Sequence, residues 1–547
     1  MKGLKAKTIT VGIVLLILVA SVYYYIMLPA INIHSPGFWK FIIFVLAAAT
    51  IIYASFRVRL RTFQTGKRTN TVEMDYKSPK DKVIFRVMLG ITIGAVVVFA
   101  IGSLLSSKVI NAAKYQKLMT VETRTFSDDI KEVSYDQIPI LDRDSAQIIG
   151  NRVMGTMVDM VSQFEINGMY SQINYNNKPV RVSPLQYGSI IKWLTNNASG
   201  LPGYVKIDMT TQDAQIVRLN EGIRYSTSDH FGRYIYRHLR FAYPGYIFDE
   251  LSFEIDEDGV PYWICPTRKY NVGLFGGVTV DKVITCNAVT GEMKEYDVEN
   301  VPQWIDKVYS AEMLINLYDY YGTLKRGFLN SILGQRDCLQ TTDGYNYIAM
   351  DDDVWVYTGV TSVGQDQSNV GFVLMNQRTM ETRYYEIAGA EEFSAMSSAQ
   401  GKVQHLNYTA TFPLLLNVDG EPTYFMALKD GAGLVKSYAM LNIERYQTVA
   451  IGDTVSECEA NYKQMLADNG IVAEKPKETK RVTGTITKIV PVVTDGNSHY
   501  YIILDNKNFI YDVNVKDNPA VIMYETGAVV TLEYSEGAGT MSADIVR

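Results

Sequence analysis

Cysteine and histidine are scarce in this sequence. Only 4 Cys and 5 His occur among 547 residues, and no CxxC pair or Cys/His cluster is present. So few cysteines exclude a disulfide scaffold and disfavour a structural zinc site. Cys265 and Cys286 are expected on neighbouring strands, so the pattern is compatible with a bridge or with two buried thiols.

The common hydrolase and nucleotide-binding motifs are also absent: there is no GxSxG, HExxH or P-loop. Two acidic stretches, 256–259 and 351–353, match part of a calcium loop, but neither reaches the bidentate Glu that completes one. They are predicted to be solvated turn carboxylates. The sequence therefore predicts no metal, no cofactor and no catalytic residue. A Ser or Cys nucleophile that meets a distant His in the fold stays open.

Negative charge is scarce at the start of the chain. Residues 1–105 hold 13 Lys and Arg against 3 Asp and Glu, whereas the remaining 442 residues hold 39 against 55. An acidic body of this kind disfavours nucleic-acid binding, because the phosphate backbone requires a cationic face.

Long apolar runs occur near the N-terminus. Three of them, at about 9–28, 38–56 and 87–107, approach the 20 or so residues that cross a bilayer as a helix. A cleaved signal peptide is the alternative for the first run, but bulky residues stand where small ones are needed for cleavage. The sequence predicts three transmembrane helices and hence a lipid bilayer as partner.

Cations flank these runs on alternate sides. Lys2, Lys5 and Lys7 precede the first, and eight Lys and Arg lie in the loop 57–82, whereas the connector between the first two runs has none. The positive-inside rule places the N-terminus and the basic loop in the cytoplasm. Everything after Lys108 is then expected outside the membrane.

A similar sequence motif occurs three times in the large region after Lys108. "DEDGVPYWIC", "DDDVWVY" and "VDGEPTYFMAL" each predict a tight turn and a strand; each is followed by an apolar strand that ends in Asn287, Asn376 or Asn442, a second turn and a helix. Thr454 and Glu457 form a capping box before the third helix. Chance similarity of hairpins is the alternative to a true repeat.

The stretch "NAVTGEMKEYDV" resembles the strand–Thr-Gly–strand of PepSY-type domains, small α+β modules of secreted and surface proteins. Only the first repeat keeps the Thr290-Gly291 pair, and "RTMET" and "ERYQT" depart from it. The resemblance implies a module outside the membrane that contacts other proteins, and no catalytic residue is carried over. The chain as a whole resembles uncharacterised membrane proteins of Gram-positive bacteria.

The tail predicts five strands with a short helix before the fourth, which resembles an OB-type barrel, with a small open sandwich as the alternative. The expected fold class is α+β: transmembrane helices, then repeated antiparallel hairpin-plus-helix units, then a small β-barrel. The predicted domains are the membrane helices 1–107, a connector domain 108–250, three PepSY-like units at 251–330, 331–402 and 403–473, and a charged linker with the barrel at 474–547.

One stretch of the body, "SDHFGRYIYRHLRF" at 228–241, is strongly basic. A continuous helix there would place Phe231, Ile235 and Leu239 on an apolar stripe. The neighbouring face would carry the candidate ligand-binding residues His230, Arg233, Arg237 and Arg240. An anionic lipid headgroup or a cell-wall polymer could dock on such a face through Arg contacts. Internal pairing with the body's own carboxylates is the alternative.

The sequence thus favours a non-enzymatic binding or scaffold protein of the bacterial cell envelope. Its expected partners are the bilayer and another envelope protein, a cell-wall polymer or an anionic headgroup. Two alternatives stay open: an envelope hydrolase of peptides or glycans with an unrecognised site, and an accessory subunit of a membrane complex.

Overall fold

The computed structural model describes residues 2–64, 70–132, 138–363, 368–472, 480–494, 497–505, 509–516, 518–535 and 541–546. The chain divides into two units, Met1–Met465 and Leu466–Arg547. It is mixed α+β, as predicted, and the described strands pair antiparallel apart from two short parallel pairings.

Three long apolar helices open the chain: α1 (Lys2–Met27), α2 (Pro36–Arg57) and α3 (Pro79–Leu105). Each contains a stretch long and apolar enough to cross a membrane. Ser35 and Ser78 cap α2 and α3, since their hydroxyls accept backbone N–H groups 3.3 and 3.2 Å away and a proline follows each cap. The sequence prediction placed the start of the third helix at about residue 87, whereas the cap at Ser78 starts α3 at Pro79.

A β-hairpin joins α2 to α3 and occupies much of the predicted basic loop 57–82. Its strands are β1 (Val58–Gln64) and β2 (Asn70–Tyr76), which pair antiparallel. Lys77 Nζ donates to the carbonyl of Phe56 at 2.7 Å, so a cation meets the C-terminal end of α2, where the helix dipole favours it.

The chain after α3 forms four short elements: α4 (Lys108–Gln116), β3 (Glu122–Arg124), α5 (Phe126–Asp129) and α6 (Arg143–Thr156). Asp142 caps α6: its Oδ1 accepts the N–H of Ser145 at 2.9 Å. The helix ends at Thr156, because Met157 leaves the helical region of φ/ψ space.

The first sheet of the body is antiparallel, in the order β4-β6-β7-β8, and β5 also pairs with β6. Its strands and neighbouring helices are β4 (Phe164–Ile166), β5 (Ser171–Tyr175), β6 (Lys178–Tyr187), α7 (Ile190–Asn196), β7 (Leu201–Asp208), β8 (Ala214–Ile223) and α8 (Ile235–Ala242). Along β6, Val180 and Val182 belong to the core on one face. Arg181 lies between them and therefore on the opposite face.

The second and third sheets follow. The second has the order β12-β11-β10-β9, with β9 (Ser252–Ile255), β10 (Pro261–Val272), β11 (Gly276–Asn287) and β12 (Met293–Asp297), followed by α9 (Ala311–Thr323). The third contains β13 (Leu339–Thr341), β14 (Asn346–Met350), β15 (Asp353–Ser362), β17 (Gly371–Asn376) and β18 (Thr382–Tyr385), with the small pair β16 (Ser368–Asn369) and β19 (Gly389–Ala390) beside it and α10 (Glu392–Lys402) after it. Strand β3, from the predicted connector domain, pairs in parallel with β18 and completes the third sheet.

The fourth sheet contains β20 (Thr409–Ala410), β21 (Leu414–Val418), β22 (Glu421–Lys429), β23 (Val435–Asn442) and β24 (Val449–Gly452), and α11 (Val455–Asp468) follows it. The predicted capping residues precede α11: Thr454 Oγ1 accepts the N–H of Glu457 at 3.1 Å, and Glu457 Oε2 accepts the N–H of Asp453 at 2.8 Å.

The three copies of the repeated motif have the same strand pairing. Asn287, Asn376 and Asn442 stand opposite Tyr262, Trp355 and Thr423 respectively, each at the end of the third strand of a four-strand antiparallel run. In all three, the Asn Oδ1 accepts the N–H groups two and three residues later, at 2.8–3.1 Å. The same side chain thus fixes the same turn three times.

The structure adds a fourth copy that sequence reasoning missed. In β7, Asp208 takes the place of the asparagine, and its Oδ1 accepts the N–H groups of Thr210 and Thr211 at 2.8 and 3.0 Å. The left-handed residue four positions on is Gln212 here, Gly291 in the second sheet and Met380 in the third. The third sheet therefore keeps the turn although it lacks the Thr-Gly pair.

The sheets share their cores. Val182 and Leu201 of the first sheet pack in one cluster with Trp263 and Cys265 of the second. A second cluster joins α9 to strands of the second and third sheets. Hence the predicted units do not each enclose a separate core.

The C-terminal unit contains β25 (Lys480–Thr494), β26 (Asn497–Leu504), β27 (Tyr511–Asn514), β28 (Val529–Ser535) and β29 (Met541–Ile545), with a 3₁₀ helix at Pro519–Met523. The strands pair in the order β25-β26-β27-β29-β28, and β28 pairs back with β25, so the sheet closes on itself. The core of the unit holds Ile486, Ile502 and Leu532. Residues 474–479 of the predicted linker lie outside the described residues.

Candidate functional site

The sequence predicted one continuous helix for the basic stretch at 228–241, and the structure shows that this is wrong. A 3₁₀ turn at Phe231–Arg233 comes first and α8 begins only at Ile235, because Phe231 has a left-handed backbone with φ 53°. Ile235 and Leu239 are buried, but Phe231 is exposed. The predicted apolar stripe therefore holds for two of its three residues.

Arg237 and Arg240 bind the C-terminal end of α1. Arg237 Nε and Nη2 donate to the carbonyl of Tyr25 at 3.4 and 3.3 Å, and Arg240 Nε donates to the carbonyl of Leu28 at 2.9 Å. The last carbonyls of a helix lack intrahelical partners and carry partial negative charge, so guanidinium groups stabilise them. These two arginines thus connect α8 to the C-terminal end of α1 by hydrogen bonds.

His230 and Arg233 lie elsewhere. The His230 ring stacks edge-on against Trp193 at 4.6 Å, and Arg233 Nη1 donates to the carbonyl of Asn197 at 2.6 Å. The four residues thus divide between a contact with α1 and a contact around α7. Ligand binding by this stretch stays a prediction.

A cavity of about 420 Å³ lies where the body's sheets meet. Its walls come from β5 and β6, the segment 139–144, the start of α9, β14 and the strands β21 and β22. Aromatic and sulfur-containing side chains line much of it, among them Tyr347, Phe412 and Met426. Its volume falls in the range typical of small-molecule sites.

Arg181 is the unusual group of this cavity. Its side chain is only 5% exposed, yet it forms no ion pair with any described residue. Nε donates to the carbonyl of Leu141 at 3.4 Å and Nη2 to Oε1 of Gln172 at 3.2 Å, both neutral acceptors. Burial lowers the pKa of Arg181 to about 10, so the guanidinium is still charged at neutral pH. A buried, unpaired charge is costly and rare in a protein that has no use for it.

A second unpaired donor stands beside it. Gln172 lies directly opposite Arg181 on β5 and is 7% exposed. Its Nε2 is buried and has no hydrogen-bond partner in the described part of the chain. Both residues line the cavity, and both side chains carry N–H groups. This donor set is complementary to an anion with two or three oxygen acceptors, such as a carboxylate.

Carboxylates lie around the rim. Asp142 is paired with Lys429 at 2.6 Å, and although burial raises its pKa, the bonds from Lys429 and Ser145 outweigh that and lower it overall. Asp144 and Glu312 line the same cavity and are exposed. Arg143 and Lys307 line it as well, so the cavity combines the buried Arg181 with more exposed groups of both signs.

A pair of buried carboxyls lies outside this cavity. Glu254 accepts the N–H groups of Asp306 and Lys307 at 2.9 and 3.2 Å, and Asp306 accepts the N–H of Asn174 at 2.7 Å. Both side chains are at most 1% exposed. Burial raises the pKa of each, and the charge of Glu254 raises that of Asp306 further. The pair holds protons at a pH where exposed carboxyls have lost theirs.

The cysteines are unbridged and buried. Cys265 and Cys286 are free thiols, as are Cys338 and Cys458. Burial raises the pKa of all four thiols, to about 12 for Cys286 and Cys458. These are the surroundings of packing residues rather than of nucleophiles.

The two acidic stretches differ in their surroundings. Asp256 Oδ1 accepts the N–H groups of Asp258 and Val260 in an exposed turn, at 3.1 and 2.9 Å. Asp353 is only 5% exposed and pairs with Arg378 at 2.6 Å, so the prediction of a solvated carboxylate is wrong there. The described residues contain no group of three or more His, Cys, Asp or Glu that could hold a metal ion.

One feature of the sequence indicates that Arg181 is buried. In "KPVRVSPL" the arginine lies within a strand whose residues are almost all apolar or small, as expected of a strand buried on both faces. A charged residue inside such a strand must be paired or must serve a ligand.

Comparisons with known proteins add little to this site. No family model matches the chain, and no curated protein matches it. Among solved structures, a levansucrase from B. megaterium matches at 9% identity, covering 81% of this chain and 99% of that one, with a TM-score of 0.17. A likeness at that score carries no argument about fold or function.

Proposed function

We propose that this protein is a membrane-anchored binding protein of the bacterial cell envelope, and that its body holds a small carboxylate-bearing ligand against Arg181. The observation that carries the proposal is a buried guanidinium without an ion-pair partner among the described residues, next to the unpaired Nε2 of Gln172. A carboxylate accepts two N–H bonds from the guanidinium, and the amide supplies a third.

The exposed carboxylates that line the cavity indicate which class of ligand it would bind. Asp144 and Glu312 would attract an ammonium group while Arg181 binds a carboxylate, which together describe an amino acid or a short peptide. Aromatic walls such as Tyr347 and Phe412 supply contact area for its side chains.

The proposed orientation puts this body outside the membrane. The basic loop and N-terminal lysines support it through the positive-inside rule. A further support is that the body binds the helices at one end: it contacts Leu28 after α1 and Ser106 after α3, whereas the β1–β2 hairpin joins the opposite ends of α2 and α3.

Two finer assignments belong to the same proposal. The four hairpin-plus-helix units are PepSY-like modules, supported by the turns that Asp208, Asn287 and Asn376 form with a Thr three residues on. The C-terminal unit is OB-type, supported by its strand order and by the short helix between its third and fourth strands.

Ligand binding is tested by measuring thermal unfolding of the full-length protein in nanodiscs with a panel of small acids. The panel contains amino acids and dipeptides together with their carboxamides. We expect stabilisation by at least one free acid and not by its amide, because only the charged carboxylate complements the guanidinium.

The matched variants are Arg181→Met, which removes the buried cation, and Arg218→Met, which removes an arginine on the same sheet that pairs with Asp159 at the surface. Binding should be lost in the first and kept in the second. Stabilisation that persists in Arg181→Met would overturn the proposal.

A further inference from the structure

The body exposes an apolar patch on α7 and the turn before α8. Ile190, Ile191, Leu194 and Phe231 are 61–66% exposed. Four large apolar side chains close together are more than the scattered exposure that soluble surfaces show, and such a patch marks a contact with something apolar. We name these four residues patch A.

Patch A lies beside the end of the first membrane helix. The Arg237 guanidinium spans the gap: Nη1 donates to the carbonyl of Phe231 at 2.7 Å, while Nη2 donates to that of Tyr25 at 3.3 Å. Trp193 of α7 lies next to Phe231, with 6.0 Å between the centres of the two rings. One arginine side chain therefore separates patch A from α1.

A second patch lies beside the end of the third membrane helix. Leu329 and Leu333 are 71% and 80% exposed, and Ile332 is 55% exposed, in the segment after α9. We name these three residues patch B. It follows Phe328, which packs against a small apolar cluster that includes Tyr115 of α4. The Tyr115 hydroxyl donates to the carbonyl of Ser106 at 2.6 Å, where α3 ends.

Both patches lie among cations and aromatic rings. Lys108 and Lys325 lie over the rings of Tyr320 and Tyr321 near patch B. At the ends of the helices themselves stand Tyr23, Tyr24, Tyr25 and Trp39. Amphipathic rings and long cationic side chains are typical of the headgroup level of a membrane, where one end of the side chain is apolar and the other is wet.

We infer that patches A and B are inserted into the lipid leaflet from which α1 and α3 emerge, so that the body rests on the bilayer at two points. The occupant of both patches is lipid: the apolar side chains enter the boundary between headgroups and acyl chains, and the neighbouring Lys and Arg meet the phosphates. This inference rests on the proposed membrane anchoring by α1, α2 and α3, and it is independent of the ligand proposed for the Arg181 cavity.

The test places a single reporter cysteine, labelled with an environment-sensitive fluorophore, at residue 191, 194 or 333 of the full chain in nanodiscs. The four native thiols are buried, which favours labelling of the reporter. The matched control is residue 406, because Leu406 is exposed at 45% in the short helical turn before β20, outside the segments that carry the two patches.

We expect blue-shifted emission and quenching by spin-labelled lipid at the three patch positions, and neither at 406. A second measurement needs no variant: a photoactivatable lipid should cross-link the unmodified chain within 190–194, at 231 and within 329–333. Patch reporters quenched no more than the control, or cross-links confined to α1, α2 and α3, would overturn the inference.

Discussion

Gln172 and Arg181 face each other across neighbouring strands, and the amide oxygen of the one accepts a hydrogen bond of 3.2 Å from the guanidinium of the other. The guanidinium has no ion-pair partner among the described residues, only the more distant charges of Asp142 and Asp144, and the amide nitrogen of Gln172 has no hydrogen-bond partner there. The two side chains together offer donors without offering a negative charge, which is the basis of the proposed carboxylate site.

Arg181→Met is expected to stabilise the ligand-free protein. Replacing a buried guanidinium that has no ion-pair partner by an apolar side chain of similar length removes its desolvation cost, and this gain should match or exceed the loss of its two hydrogen bonds to the neutral acceptors on Leu141 and Gln172. Thermal unfolding of the ligand-free variant measures this. Arg218→Met, at an exposed pair, should leave the midpoint unchanged. A marked loss of stability in Arg181→Met would show that the arginine is structural.

The buried carboxyls Glu254 and Asp306 should make stability fall as pH rises. Their pKa values are raised in the folded state, so between the usual carboxyl range and the raised values the unfolded chain releases protons that the folded chain keeps. Stability is therefore highest on the acid side of this window and is lost towards neutral pH.

Asp306→Asn removes one of the two titrations, so its unfolding midpoint should vary less with pH and should exceed that of the wild type near neutrality. Asp258→Asn, in an exposed turn, is the control and should follow the wild-type profile. Parallel pH profiles for Asp306→Asn and the wild type would contradict the assignment.

The Asx turns predict opposite outcomes for one substitution at two equivalent sites. Asn287→Ala should cost about 1–3 kcal/mol, because two turn N–H groups lose their acceptor. Asn287→Asp should be tolerated, since Asp208 fills the same role in the first sheet. Asn376→Asp should be destabilising, because the Asn376 amide donates to Asp353 at 2.7 Å and a carboxylate there would repel it.

Chemical denaturation of the three variants ranks these effects. Equal tolerance of Asp at positions 287 and 376 would mean that the amide contact with Asp353 contributes nothing measurable.

Arg240→Met should weaken the connection between the body and α1. Arg240 donates to the carbonyl of Leu28 and, through Nη1, to those of Tyr243, Pro244 and Tyr246, and it is 8% exposed. Removing it leaves buried carbonyls unsatisfied, which costs about 1–3 kcal/mol or more.

The expected readouts are a lower unfolding midpoint and faster proteolysis near residue 28 than in the wild type. Arg233→Met, which loses one bond to Asn197, serves as the comparison and should have the smaller effect. A smaller effect for Arg240→Met than for Arg233→Met would contradict the role assigned to Arg240.

Local patterns in the sequence predicted much of the fold. The apolar runs predicted three long helices, and the Asn-ended strands predicted hairpins, because both depend on residues near one another in the chain. The cap of α11 at Thr454 was predicted for the same reason.

Features that depend on packing between distant segments were missed. Asp208 in place of Asn hid the fourth unit, and the parallel pairing of β3 with β18 joins residues far apart in sequence. The left-handed Phe231 broke a helix that periodicity favoured. The apolar strand around Arg181 indicates burial, but the cavity beside it could not be predicted, because its other walls come from segments distant in sequence.

The most direct measurement of the central claim is native mass spectrometry of the full-length protein, purified in parallel as wild type, Arg181→Met and Arg218→Met. The account predicts that a small acidic compound remains bound to the wild type and to Arg218→Met and is absent from Arg181→Met. A bound compound that is equally abundant on all three proteins, or a best-binding acid from the panel that gives no complex with the wild type, would contradict it.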